Sequence, residues 1–167
     1  MSRHIALYNM SFILMLRDMF TSPLFLAPLS SLTIAQLIKG IIYLFKSRRK
    51  EPTEFFDIVT WRTGGMPSSH SALVCSLCTT IGISEGINSN IFVLSLWFAI
   101  VVLRDAVGVR HLAGLLSKSL NKLGKQTVAK TGGEYQPVKE IQGHTIQEVI
   151  AGGSLGIIIA ACFGLFL

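Results

Sequence analysis

The chain has 167 residues, 50% hydrophobic and only 14% charged, with a formal net charge of +6 and a mean hydropathy of +0.56. Soluble domains carry about 25% charged residues, and here the apolar residues gather into blocks near the roughly 20 residues that a helix needs to cross a bilayer. A soluble doubly wound fold, a disulfide-stapled secreted module and a disordered tail are excluded, which leaves a small polytopic membrane protein.

In chain order, the apolar run 5–16 is short and is closed by Arg17 and Asp18. It reads as an interfacial or re-entrant helix within an N-terminal segment 1–21. Residues 23–45 form the first span, with Lys39 as its single charge, and Lys46-Ser47-Arg48-Arg49-Lys50 ends it. A polar connection runs to Ser69. A second helix covers 70–87, with a turn at Ile83-Ser84-Glu85-Gly86. The third span is 91–110, where Trp97 reads as packing, whereas Trp61 suits an interfacial anchor. Residues 146–167 form the fourth. The expected fold is an all-α polytopic membrane bundle of about four transmembrane helices, with its domain over 22–167. Cys75, Cys78 and Cys162 offer no disulfide framework, and the Cys75/Cys78 pair reads as small packing residues on a buried helix.

Four spans place connections 46–69 and 111–145 on one side, and the turn 84–90 and both termini on the other. The two long connections hold five Lys or Arg each (46, 48, 49, 50, 62; then 118, 122, 125, 130, 139), and the turn holds none. The positive-inside bias therefore makes the long connections cytoplasmic. Their charge suits anionic lipid headgroups. No zinc finger, dinucleotide loop or aromatic-basic interleaving points to nucleic acid.

Two segments carry chemistry. Thr63-Gly64-Gly65-Met66-Pro67-Ser68-Ser69-His70-Ser71 stands directly before the second helix. Its glycines allow a tight turn, and Ser68 is a good N-cap. Open N–H groups and serine hydroxyls there make an anion site, with His70 in the first turn. A purely structural cap explains the Pro and Ser but not the whole group. The second segment, Gly143-His144-Thr145-Ile146-Gln147-Glu148, opens the fourth span. Thr145 and Glu148 fit a capping box. His144 and Glu148 stand four apart, so the carboxylate could instead orient the imidazole. Glu148 is not expected to serve both roles fully at once.

Both segments fall on the same membrane face, among Lys and Arg. That combination describes a site for a phosphate ester at the bilayer surface. One imidazole attacks phosphorus and the other protonates the leaving alkoxide, while basic groups and N–H donors hold the equatorial oxygens. No metal or other cofactor is required. In the third span Arg104, Asp105 and Arg110 are costly at a membrane end unless paired or functional. They read either as a helix-orienting ion pair or as a phosphate clamp through Arg104 or Arg110. His111 reads as a surface residue.

The stretches GGMPSSHSALV (64–74), RDAVGVRHLAG (104–114) with Leu120-Asn121, and GHTIQEVIAGGSLG (143–156) resemble the divergent PAP2 family, over about residues 22–167. That family is related to type 2 phosphatidic acid phosphatases and vanadium-dependent haloperoxidases. The resemblance implies that Pro67-Ser68-Ser69-His70 matches a phosphate-binding PSGH motif with its acid histidine, Ser69 standing where glycine is usual. It implies that His144 is the nucleophile and Glu148 its carboxylate partner, in place of the usual Asp. Lys139 lies one residue off the spacing of the motif's arginine. The first superfamily motif, a lysine followed by Arg-Pro, lacks its standard form, and Lys39, Arg62 or Arg104 could substitute.

The function implied is hydrolysis of a lipid phosphate monoester or diphosphate by a metal-independent histidine nucleophile. The alternative is a non-catalytic membrane protein that binds or carries phosphorylated lipid, with a vanadate haloperoxidase a distant third. The expected partners are a phosphorylated lipid and the bilayer. Four spans form a thin wall around a pocket, which leaves room for a homodimer.

Overall fold

The computed structural model describes residues 2–46, 65–140 and 143–165, and for residues 2–11, 46, 110 and 111 the backbone alone. Within these residues the fold is all-α: α1 (Ser2–Thr21), α2 (Pro23–Lys46), α3 (Ser69–Glu85), α4 (Asn90–Val107), α5 (Val109–Thr131) and α6 (Ile146–Gly164). The connection 47–64, which includes Trp61 and Arg62, lies outside the described residues.

The helix boundaries follow from local chemistry. Pro23 brings no N–H to continue α1 and suits the first position of α2, so the chain breaks at Ser22. Ser68 caps α3, Ser89 caps α4 and Thr145 caps α6, each side-chain oxygen accepting a backbone N–H from the first turn. Gly86, at φ 83, ends α3 in a conformation that disfavours a side chain.

Helix α3 sits at the centre, packed against α6, α2 and α4. Its buried residues are small or hydroxylated: Ser69, Ser71, Ala72, Ser76, Cys78 and Thr80, with Val74 and Ile81. Each neighbour presents a matching face. On α2, Ala27, Ser31, Ala35 and Lys39 recur every fourth residue, and all four are buried. The Ser31 hydroxyl donates to the Pro28 carbonyl at 2.8 Å and reaches the Ala72 carbonyl at 3.2 Å, bonding α2 to α3. On α6, Gly152 and Gly156 lie against the α3 backbone. A Cβ on Gly152 would stand 2.2 Å from the Ser68 carbonyl oxygen, and one on Gly156 would stand 2.1 Å from that of Ala72. Small residues at four-residue spacing let helix backbones approach where lipid supplies no hydrophobic drive to associate.

The large apolar side chains face outward. Leu94, Trp97, Phe98 and Val101 on α4 are exposed, as are Leu37 and Ile41 on α2 and Ile150 and Ile158 on α6. Small polar groups inside and large apolar groups outside suit a solvent of acyl chains. Trp97, expected as packing, is instead 62% exposed on the outer face of α4. Cys78 joins Val74 and Ala99 in the core, as a packing residue should.

Among the described residues, three stretches are long and apolar enough to cross a membrane: Pro23–Phe45, the run Asn90–Thr131 and Ile146–Gly164. Helix α3, at 17 residues, is about 25 Å long, a little short of the hydrocarbon core. Two sequence expectations are corrected. The helix of the third span does not run unbroken to 110, because α4 ends at Val107 with Gly108 as its cap. The supposed long polar connection is in large part the 23-residue helix α5. Its signal was present in Leu112, Leu116, Leu120 and Leu123, whose spacing of three and four residues is helical, but the interleaved lysines hid it.

The glycine contacts predict unequal costs. In detergent, Gly156→Ala should lower stability by about 1–3 kcal/mol or more, because backbone must move. Gly153→Ala, whose Cβ would meet only the Cys75 sulfur at 3.2 Å, should cost much less, since alanine regains about 1 kcal/mol of helix propensity. Equal thermal shifts for the two variants would count against the close α3–α6 crossing.

Candidate functional site

The two motif segments meet directly. The Ser68 N–H donates to the Glu148 carbonyl at 3.0 Å, which joins the start of α3 to the first turn of α6. The His144 N–H donates to the Ala106 carbonyl at 3.2 Å, anchoring the approach to α6 on the last turn of α4. All three blocks of the family resemblance therefore converge on one end of the bundle. Ser68 also receives the Ser71 hydroxyl at 2.8 Å, so its oxygen serves as the helix cap within a fully buried pair.

His144 is 2% exposed, with Nδ1 at 3.0 Å from Glu148 Oε2. A carboxylate at Nδ1 favours the tautomer with its proton there, leaving the lone pair on Nε2. The same Oε2 accepts the Thr145 N–H at 3.2 Å, and the Glu148 N–H donates to Thr145 Oγ1 at 3.4 Å. Both halves of the capping box are present. The expected competition between capping and orienting the imidazole does not arise, because one oxygen meets both donors. Helix α6 starts after His144, so the contact is made by Glu148 reaching back from the first turn rather than by two residues on one helical face.

Lys39 brings α2 to the same place. It is 6% exposed, and its Nζ donates to Ser69 Oγ at 2.8 Å. The Ser69 hydroxyl donates in turn to Gln36 Oε1 at 3.0 Å. Glu148 acts on Lys39 electrostatically, which offsets part of the large cost of holding an ammonium away from water. Gln36 was not among the sequence candidates. A polar side chain inside an apolar span, one turn before a lysine, was the available signal.

The structure thus gathers His144, Glu148, Ser68, Ser69 and Lys39. His70 occupies the first turn of α3 with its side chain exposed. Arg104 is exposed in the last turn of α4. Lys139 is exposed in the irregular stretch after α5, between two residues that bond Asn121. The side chains of Arg110 and His111, and all of Arg62, fall outside the described residues. Among the described residues, no group of three or more His, Cys, Asp or Glu gathers as a metal would require.

Residues 20–159 match the profile of the divergent PAP2 family. The chain belongs to that family. It is 34% identical over 160 residues to the uncharacterized membrane protein YuiD of Bacillus subtilis (strain 168), a similarity covering 89% of this chain and 98% of the relative. No solved structure matches it. As a divergent PAP2 protein it keeps the two histidine segments in contact, and it carries Lys39 on the helix that precedes the first of them.

The shared oxygen makes two roles separable. Thr145→Ala should cost about 1 kcal/mol of stability by loss of the cap, with the His144–Glu148 contact retained. The Nδ1 resonance of His144 should then be nearly unmoved in a nitrogen-detected NMR spectrum, whereas Glu148→Ala should shift it.

Proposed function

We propose that this divergent PAP2 protein is a membrane phosphatase, hydrolysing a lipid phosphate monoester or diphosphate through a histidine nucleophile without a metal. The observation that carries this reading is the His144 Nδ1–Glu148 Oε2 contact at 3.0 Å, beside the buried Lys39–Ser69 pair. Nucleophile, orienting carboxylate and a cation for phosphate oxygens come together from helices distant in sequence.

In the proposed reaction, Nε2 of His144 attacks phosphorus, and the bond from phosphorus to the ester oxygen breaks. His70 gives a proton to the departing alkoxide. Water then attacks the phosphohistidine, giving up a proton to His70, and inorganic phosphate leaves as the His144 nitrogen regains its lone pair. Lys39 and the N–H groups at the start of α3 stabilise charge on the equatorial oxygens. Glu148 stabilises the imidazolium that forms during attack. Lys39 takes the place of the lysine in the altered first motif, and Arg104, Arg110, Arg62 and Lys139 remain candidates for further clamps.

We place the site at the cytoplasmic face, on the charge bias of the long connections, with α3 as a fourth, short span enclosed by its neighbours. A homodimer would thicken the wall around it. A second reading, a non-catalytic protein that binds or carries phosphorylated lipid, draws support from Ser69. Its hydroxyl occupies Lys39 where the superfamily usually has a glycine, which narrows the cradle.

Phosphate release from a panel of lipid phosphates, by purified protein in detergent with EDTA present, tests the two. Catalysis predicts release that survives chelation, falls to background in His144→Ala, and drops about 10²-fold or more in Lys39→Met. Folded protein that binds the lipids but releases nothing across the panel would establish the carrier reading instead.

A further inference from the structure

Helix α5 is unlike the others. Among the described residues it packs only on α4, and touches neither α2, α3 nor α6. Its residues divide into three faces. Gly114, Ser117, Asn121, Gly124 and Val128 form a buried or half-buried stripe, met at Asn121 and Gly124 by the stretch that follows the helix. There Asn121 makes a clasp: its Nδ2 donates to the Val138 carbonyl at 2.9 Å and to Glu140 Oε1 at 3.1 Å. Its Oδ1 accepts the Tyr135 hydroxyl and the Val138 N–H, each at 2.9 Å. Gly124 leaves room for the Tyr135 ring, which a Cβ would strike.

A second face is apolar and uncovered. Leu112, Leu116, Leu120 and Leu123 are each at least half exposed, and their spacing sets them on one side, well away from the clasp. Between these two faces run Lys118, Lys122 and Lys125, all exposed. Helix α5 contains no Asp or Glu, and over 109–140 six Lys or Arg stand against Glu134 and Glu140.

We infer that α5 is a membrane-surface helix that recognises an anionic leaflet. Its leucines enter the acyl boundary while the lysine edge meets lipid phosphates, the arrangement of an interfacial amphipathic helix. Charge complementarity selects this occupant: the lysine edge has no carboxylate on its own helix to satisfy it. Continuity supports it as well. Helix α4, which leads into α5 through Gly108, already turns Leu94, Trp97 and Val101 outward, so the apolar face of α5 follows directly on another apolar outer surface. The inference is independent of catalysis.

The test uses the full chain in nanodiscs of phosphatidylcholine, with or without phosphatidylglycerol. A fluorescent amino acid placed at position 116 or 125 reports contact with lipids spin-labelled on the upper acyl chain, and Trp97 quenching by deep-labelled lipid verifies insertion. Position 116 should be quenched well above position 125, and more so with phosphatidylglycerol. In the combined variant Lys118→Gln, Lys122→Gln, Lys125→Gln, the gain from phosphatidylglycerol should shrink, by roughly fivefold per lysine in the ratio of seated to unseated helix. Trp97 quenching should stay unchanged. Three results would overturn the inference. One is position 116 unquenched in both bilayers, and another is quenching there that ignores phosphatidylglycerol or the lysine substitutions. The third is position 116 shielded from water by a neighbouring protein copy rather than by lipid.

Discussion

At Gly152 and Gly156 the backbone of α6 lies against the carbonyls of Ser68 and Ala72 with no room for a side chain, and the bundle is arranged around that approach. In a bilayer, apolar side chains gain little by leaving lipid for protein, so association rests on close packing and polar bonds. The same crossing brings the Ser68 N–H within 3.0 Å of the Glu148 carbonyl. Packing and site are consequences of one distance. A wider crossing would separate the α3 cap from the α6 cap, and with them the serines from the imidazole.

The polar groups inside the bundle follow from the same constraint. Side chains small enough for helices this near are Ala, Gly, Ser, Thr and Cys, and the hydroxyls among them, Ser76 excepted, find partners in a dry interior. Thr80 bonds the Ser76 carbonyl and Ser31 bonds the carbonyls of Pro28 and Ala72, each returning to backbone. At the Lys39 level that pattern changes. There Ser69 accepts a hydrogen bond from an ammonium and donates one to Gln36. Charge at that depth is costly, and it stands against the first turn of α3, within the electrostatic reach of Glu148.

Much of this was legible in the residues. The two motif segments, their caps and the pairing of His144 with Glu148 all follow from short-range spacing, where side-chain reach leaves few alternatives. Family membership was legible too, because three blocks recur in order. Other features required the tertiary structure. Lys39 stood beside Arg62 and Arg104 as one of several cations, and only the crossing of α2 with α3 brings it to Ser69. Gln36 carries no motif. Helix α5 was hidden because its leucines alternate with lysines, which reads as a polar connection by composition and as an amphipathic helix only by period. Trp97 was misjudged because in lipid a large aromatic residue at mid-span is at home on the outside.

The shared oxygen of Glu148 also bears on why this chain carries glutamate rather than the aspartate that the PAP2 resemblance leads one to expect. A residue at the third helical position must extend back past the start of its own helix to accept the Thr145 N–H, and capping boxes use Glu or Gln for that reach. Aspartate is one methylene shorter. It could approach the imidazole or the cap, but a single shortened oxygen would not span both. The extra methylene therefore ties the first turn of α6 to the orientation of the histidine, so that in this chain the helix cannot fray without releasing the ring.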